Sequence, residues 1–374
     1  MVVFPQPMVL PAYGHGSLAE ILPSVCANLG VDGAQDVLGL GSGDRWVVLL
    51  IDGLGEDLLA NHAAHAPFLS GLRSQGRVIT AGTPSTTVTS ITSLGTGLPP
   101  GQHGMAGYSF RIHDREILNA LLWDTTTKAT TLQPHPTWFI RAEKVGVRTA
   151  SVTPARFQGT GLTEASLRGA EFCGVHDENN HSLWCRKVVA AATAADRTLV
   201  YAYERELDHI GHGAGVASTA WKKVLRRIDQ QAARLRAELP PDVRLVITAD
   251  HGMLDVPGRN FVLLEHEPDL LAGVDSFAGE GRLRHFYSTE PAEVAARWAD
   301  RMGDHAWVRI REDAIDEGWF GPVDDRVRGH FGDVVVAMRT DWAVMSTTLP
   351  RELDLIGMHG SLTPVEMNIP LLQA

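Results

Sequence analysis

Four short runs rich in apolar and β-branched residues constrain the fold of this chain more than any other feature. They are Trp46 to Ile51 (WVVLLI), Val147 to Val152, Thr198 to Tyr203 (TLVYAY) and Val243 to Thr248 (VRLVIT). A strand with one wet face alternates apolar and polar residues, whereas a run without alternation is buried on both faces, as in a parallel sheet covered by helices. Between the last two runs, Ser218 to Leu239 reads as an amphipathic helix. Its Trp221, Val224, Leu225, Ile228, Ala232 and Leu235 recur at helical spacing, and Lys222, Lys223, Arg226 and Arg227 fall mainly on the solvated face. Strand and helix in alternation predict an α/β fold with a central, mostly parallel sheet flanked by helices.

After His251 the pattern changes. Short strand-like pieces (LRHFY, AWVRIR, DVVVAM) surround one helix opened by Pro291, a residue suited to the first helical position. The reading is a core formed by residues 1–255 and 345–374, interrupted by an inserted α+β cap over residues 256–344. A length of 374 residues suits about two such units.

A formal net charge of −11 argues against a surface for nucleic acid or an anionic membrane, both of which need clustered Lys and Arg. An anionic substrate would then be held by something other than net protein charge, and bound metal ions are one such device. No apolar run reaches the length of a membrane span, and the first residues lack the basic and apolar regions of a signal peptide. Three cysteines, Cys26, Cys173 and Cys185, are too few for a disulfide framework, so the expected compartment is the cytoplasm. Oligomeric state is not readable.

Three acidic residues stand where core strands run out: Asp52 directly after WVVLLI, Asp250 just after VRLVIT, and Asp208 shortly after TLVYAY. The carboxyl ends of strands line the ligand crevice of open α/β sheets, so these carboxylates are candidates to converge. His251 adjoins Asp250, His212 follows Asp208 at i+4, and His359 lies in the final segment. Three Asp and three His are the donor set that two zinc-like ions need. A single strand-end Asp is more often a cap, and a single His more often a hydrogen-bonded structural residue. Cys173, His176, His181 and Cys185 have zinc-ligand residue types, but the DENN between them reads as a polar loop.

The second feature is the hydroxyl-rich run TPSTTVTSITSLGTG, from Thr83 to Gly97, followed by LPPGQHG with His103 near its end. Such a run leading from Pro84 into a helix places a hydroxyl at a helix N-terminus, where free N–H groups favour a phosphate. A threonine hydroxyl becomes a useful nucleophile when metal coordination lowers its pKa. His103 reads as structural.

Taken jointly, VVLLIDGLG, the run from Thr83 to Gly104, PTWF with Trp138, DHIGH, TADHGM and His359-Gly360 resemble, in order, the nucleotide pyrophosphatase/phosphodiesterase branch of the alkaline phosphatase superfamily. The resemblance implies an alkaline-phosphatase-like core and hydrolysis of phosphate esters or phosphoanhydrides, with a small phosphate ester or nucleotide as substrate. It implies two divalent ions, Zn²⁺ with Mn²⁺ as the alternative. One would be held by Asp52, Thr87, Asp250 and His251, the other by Asp208, His212 and His359. Counting back from Thr96-Gly97 puts the nucleophile on Thr87, which would form a phosphothreonine intermediate. Family members carry Pro-Asn just after the nucleophile, where this chain has Thr89-Ser90, so a shorter hydroxyl on Ser90 stands in for an amide that helps hold the phosphate. The same metal pair would serve phosphonoacetate hydrolysis or a phosphomonoesterase, and a silent metal-binding homologue is the non-enzymatic alternative. Tyr108, Phe110, Trp123 and Trp138, which follow the nucleophile helix, are candidates for a face on which a nucleobase or aryl group stacks.

Overall fold

The computed structural model describes residues 4–113 and 115–374. Its main sheet is built from β1 (Arg45–Ile51), β2 (Arg77–Thr80), β3 (Arg148–Pro154), β4 (Glu171–Val175), β5 (Thr198–Glu204), β6 (Val243–Thr248) and, at the end of the chain, a strand Asn368–Gln373. A second sheet lies between them in sequence: β7 (Val274–Glu280), β8 (Leu283–Ser288), β9 (Ala306–Ile310) and β10 (Val334–Met338). The last strand is therefore β11.

The main sheet has seven strands in the order β2-β11-β6-β1-β5-β3-β4. Strands β6, β1, β5, β3 and β4 are mutually parallel, and β11 runs antiparallel between β6 and β2. The apolar runs occupy the centre, where every residue of Trp46–Ile51 is buried. Helices on the faces supply the other half of the core. In Thr219–Glu238 the side chains of Trp221, Leu225, Ile228, Ala232 and Leu235 are buried, and Ser218 caps the N-terminus by accepting the Trp221 N–H. No helix among the described residues is long and apolar enough to cross a membrane.

The second sheet, ordered β7-β8-β10-β9, is antiparallel throughout. One face packs under the helix Pro291–Met302 through Phe286, Val294, Trp298, Val334 and Val336, forming a small core of its own. The other face contributes Leu283, Val335 and Ala337 to the main core. Strand alternation thus divides the unit between two cores, and it is not a lid hung on a linker.

A buried ion pair fastens this unit to the rest. Arg282, in the turn between β7 and β8, forks onto Glu366 at 3.0 and 2.7 Å, with both side chains fully buried. Glu366 also accepts the Ser361 N–H and the Thr363 hydroxyl, so it orders the segment that carries His359. Removing one member of such a pair leaves a buried charge uncompensated. Arg282→Met is expected to destabilise the protein by about 3–5 kcal/mol, seen as a lower urea midpoint in equilibrium unfolding.

Candidate metal centre

The carboxyl ends of β1, β5 and β6 deliver the three aspartates to one place. Asp52 follows β1 directly and donates its N–H to the Glu204 carbonyl at the end of β5. Asp208 and His212 share one face of the helix Glu206–Ala214, which starts where β5 stops. Asp250 and His251 sit in the turn after β6, and close backbone packing shapes that turn. A Cβ on Gly252 would run into the Val365 carbonyl, and a Cβ on Gly53, at φ +73°, would meet the Asp208 side chain at 3.1 Å.

Two ligand sets result. Asp52, Asp250 and His251 each offer an atom within 4.8 Å of the others, as do Asp208, His212 and His359. Among the described residues these are the groupings of three able to hold an ion. The sets adjoin through the rings of His251 and His359, stacked 3.6 Å apart. Cys173, His176, His181 and Cys185 form no such group, because Cys185 is buried in the core and His181 takes a hydrogen bond from Arg227.

The three histidines are oriented alike. His212 Nδ1 lies 2.8 Å from the Gly357 carbonyl, His251 Nδ1 2.9 Å from that of Gly252, and His359 Nδ1 2.9 Å from that of Ser85. A carbonyl only accepts, so each Nδ1 carries a proton and each Nε2 is the ring nitrogen left to face the cluster. There it meets carboxylate: His251 Nε2 is 3.4 Å from Asp52 Oδ1 and 3.5 Å from Asp250 Oδ2, and His212 Nε2 is 3.3 Å from Asp208 Oδ2. A main-chain oxygen on Nδ1 orients an imidazole so that Nε2 is the atom offered to a metal ion.

Electrostatics point the same way. Asp208 Oδ1 and Asp250 Oδ2 are buried without a hydrogen-bond partner. Burial, and next the carboxylates of Asp250 and Asp208, push the Asp52 carboxyl well above the usual range, although the Tyr203 hydroxyl donates to it. Burial, then His251 and His212, hold His359 well below the usual imidazole value, so it is neutral. Crowded carboxylates and neutral imidazoles are the donors that two divalent ions require.

Thr87 is the first residue of the helix Thr87–Thr96, whose N-terminus carries no side-chain cap. Its Oγ1 lies 3.4 Å from Asp52 Oδ1 and 3.3 Å from His251 Nε2, and it faces a cavity of about 460 Å³ shared with Asp52, Asp208, His212 and His359. The loop that precedes Thr87 is zipped to the His359 segment by Ser85, whose N–H meets the Gly360 carbonyl and whose hydroxyl meets that of Ser361.

Fold, donor set and a hydroxyl at the junction are those the sequence motifs led to expect, and a family profile described as "Type I phosphodiesterase / nucleotide pyrophosphatase" matches residues 46–362. The chain belongs to this family. Human and rat ectonucleotide pyrophosphatase/phosphodiesterase family member 7 are 30% and 29% identical to it over 142 residues, which is 35% of this chain. The match spans less than a third of either relative's length, 30% and 31%. Among solved structures, murine ectonucleotide pyrophosphatase/phosphodiesterase 5, in an inactive form complexed with AMP, superposes with a TM-score of 0.68 at 18% identity, over 88% of this chain and 87% of that one. The human counterpart gives 0.67 at 17%, with 88% and 87% covered. At such identity the likeness establishes the fold, an α/β phosphodiesterase core.

Not every expected site residue faces the cavity of this family member. Ser90 is fully buried, and its hydroxyl donates to the Asp250 carbonyl at 2.7 Å, so it braces the metal turn and does not stand where a phosphate would be held. Of the four aromatic candidates only Tyr108 lines the cavity; Phe110 and Trp138 are core, and Trp123 packs over Gly161. The other rings lining the cavity are Phe157 and Tyr203, tilted with centroids 6.3 Å apart, with the Arg156 guanidinium 4.7 Å above Phe157. Phe157 ends the short segment after β3, and its place at a strand terminus was the one available signal.

Proposed function

We propose that the protein is a metal-dependent phosphodiesterase that cleaves phosphate ester or phosphoanhydride bonds through a phosphothreonine intermediate on Thr87. The observation that supports it best is the position of the Thr87 hydroxyl, within 3.4 Å of ligands from one set and at an uncapped helix N-terminus. Asp52, Asp250 and His251 would hold one divalent ion with the Thr87 oxygen, and Asp208, His212 and His359 the other. When bound, such ions lower the pKa of the attacking hydroxyl and neutralise charge on the leaving oxygen.

The remaining steps belong to the protein. The helix N–H groups behind Thr87 favour the non-bridging phosphate oxygens. Thr87 attacks phosphorus, the P–O bond to the leaving group breaks, and the proton of the threonine hydroxyl departs with solvent or leaving group. Water then attacks the phosphothreonine and restores the free hydroxyl. The cavity has one wall from the core, with Phe157, Tyr203, Tyr108 and Met345, and another from the inserted unit, with Glu280 and Gly281. A diester places organic groups on two sides of phosphorus, which suits two walls better than a monoester does. Zinc fits a mixed imidazole and carboxylate donor set, and manganese is the second choice.

The test is turnover by protein reconstituted with zinc or manganese. Bis(p-nitrophenyl) phosphate is expected to be cleaved with kcat/KM at least about tenfold above p-nitrophenyl phosphate, a difference of roughly 1.4 kcal/mol in transition-state binding. Faster cleavage of the monoester, or of phosphonoacetate, would reassign the activity, and no turnover of any of the three would leave a silent metal-binding homologue.

A further inference from the structure

Tyr108 lines the cavity. Its backbone is fixed at both ends: the N–H donates to Glu280 Oε2 at 3.1 Å, and the carbonyl accepts the Ala120 N–H at 2.9 Å. Its hydroxyl oxygen is 2.7 Å from Asn119 Nδ2.

The direction of that last bond follows from the other end of the amide. Asn119 Oδ1 takes the N–H groups of Leu121 and Leu122 at 3.1 and 3.2 Å, and only an oxygen can accept them. The amide nitrogen must then face the phenol, and an amide NH₂ offers protons but no lone pair. The phenol oxygen therefore acts as acceptor, and its own proton is free to point elsewhere. Among the described residues no protein group accepts it. Burial raises the Tyr108 pKa, so that proton stays in place through neutral and alkaline pH.

A donor held on three sides, lining the cavity, and with its proton uncommitted is preorganised for an acceptor that comes with the ligand. Phe157 and Tyr203 line the same cavity, so an organic group beside them is within the same enclosure as Tyr108. Ser90, the hydroxyl that the sequence pattern suggested for holding the phosphate, is committed to the Asp250 carbonyl.

We propose that Tyr108 is a specificity-determining residue that donates its hydroxyl proton to an acceptor oxygen or nitrogen in the organic group of the substrate. A nucleoside or sugar carries such acceptors next to the phosphate, and a simple alkyl group does not. The assignment rests on the phosphodiesterase reading for the identity of the ligand, though its test does not depend on turnover.

Calorimetric titration of the metal-loaded protein with AMP and with methyl phosphate tests it. Tyr108→Phe removes one oxygen and keeps the ring; it should weaken AMP about tenfold and leave methyl phosphate unchanged. Asn119→Asp keeps the acceptor for Leu121 and Leu122 but turns the bond to the phenol around, so the phenol proton is consumed inside the protein. It should reproduce the selective loss of AMP, which a packing role for Tyr108 does not predict. Equal weakening of both ligands, no change in either, or loss only in Tyr108→Leu with Tyr108→Phe unaffected would overturn the proposal, as would a wild-type protein that binds neither. A selective loss of AMP in a protein that turns over no diester would sink the enzymatic reading and leave the subsite standing.

Discussion

Replacing Thr87 with alanine is expected to lower kcat/KM by about three orders of magnitude or more, with the fold and metal content retained. In the proposed mechanism the hydroxyl is the atom that bonds to phosphorus, and Ser85 and Ser90 cannot replace it, since both donate to backbone carbonyls. Three orders of magnitude correspond to roughly 4 kcal/mol of transition-state stabilisation. Structure should suffer little, because alanine is well tolerated in a first helical turn and Asp52, Asp250 and His251 remain to hold the ion. Thr87→Ser, which keeps the oxygen, should recover activity to within about tenfold of wild type. Rapid-quench labelling with a phosphorus-32 diester gives the direct check: wild type and Thr87→Ser should carry acid-stable label, and Thr87→Ala none. Near-normal turnover by the alanine variant would move the nucleophile to Thr86 or to water.

Stripping the ions is expected to abolish turnover, and the effect should depend on pH in a defined direction. The folded Asp52 carboxyl has its pKa raised by burial and by Asp250 and Asp208, so without ions it retains a proton to a higher pH than it does unfolded. Below the unfolded value both states are protonated and Asp52 contributes no difference. As pH rises from the unfolded value to the folded value, the unfolded chain ionises while the native state still holds its proton, and the metal-free protein loses stability. His359 has the opposite sign, because its folded pKa is depressed, but its contribution is complete once pH exceeds the unfolded imidazole value near 6.5. Above that point the raised carboxyls set the trend, Asp52 together with Glu280, whose buried carboxyl is pushed up to about 8. Ions must displace the Asp52 proton, so their apparent affinity, and the rise in Tm that they bring, should grow as pH rises above about 6.5. Calorimetry in buffers of different ionisation enthalpy should register proton release on binding, and two ions per chain should be found by elemental analysis after dialysis. One ion, or uptake without proton release, would contradict the paired site.

Much of the architecture was legible because the information is local. Six consecutive apolar residues before Asp52 can be satisfied in few ways other than a doubly covered parallel strand, and the same logic located β3, β5 and β6. Metal-ligand candidates followed, because a carboxylate at the end of such a strand faces the crevice wherever the strand lies in the sheet. What escaped was lateral. Strand β11, with Pro370 opposite Val78, has neither the composition nor the continuity of a central strand, and it completes the sheet only through long-range pairing with β2 and β6. Ser90 shows the same limit at the scale of one side chain. It belongs to the helix Thr87–Thr96, but helical spacing cannot reveal that its hydroxyl meets the Asp250 carbonyl, 160 residues away. Phe157 was missed because a ring beside an arginine in a short loop has no period to read, whereas Phe110 and Trp138 were candidates for the stacking face because loop-rich sequence surrounds them, and both are core.

The imidazoles of His212, His251 and His359 are each aligned by a main-chain oxygen. Every residue type possesses that atom, so no side-chain replacement at Gly357, Gly252 or Ser85 deletes the acceptor, provided the backbone path survives. In many metal sites the aligning partner is a carboxylate, and one mutation to it disturbs the ligand. Here the alignment is encoded in chain geometry, which makes it robust to mutational drift in the surrounding side chains. Cavity walls can then diversify, and with them the esters accepted, while the tautomers that face the metals are inherited unchanged.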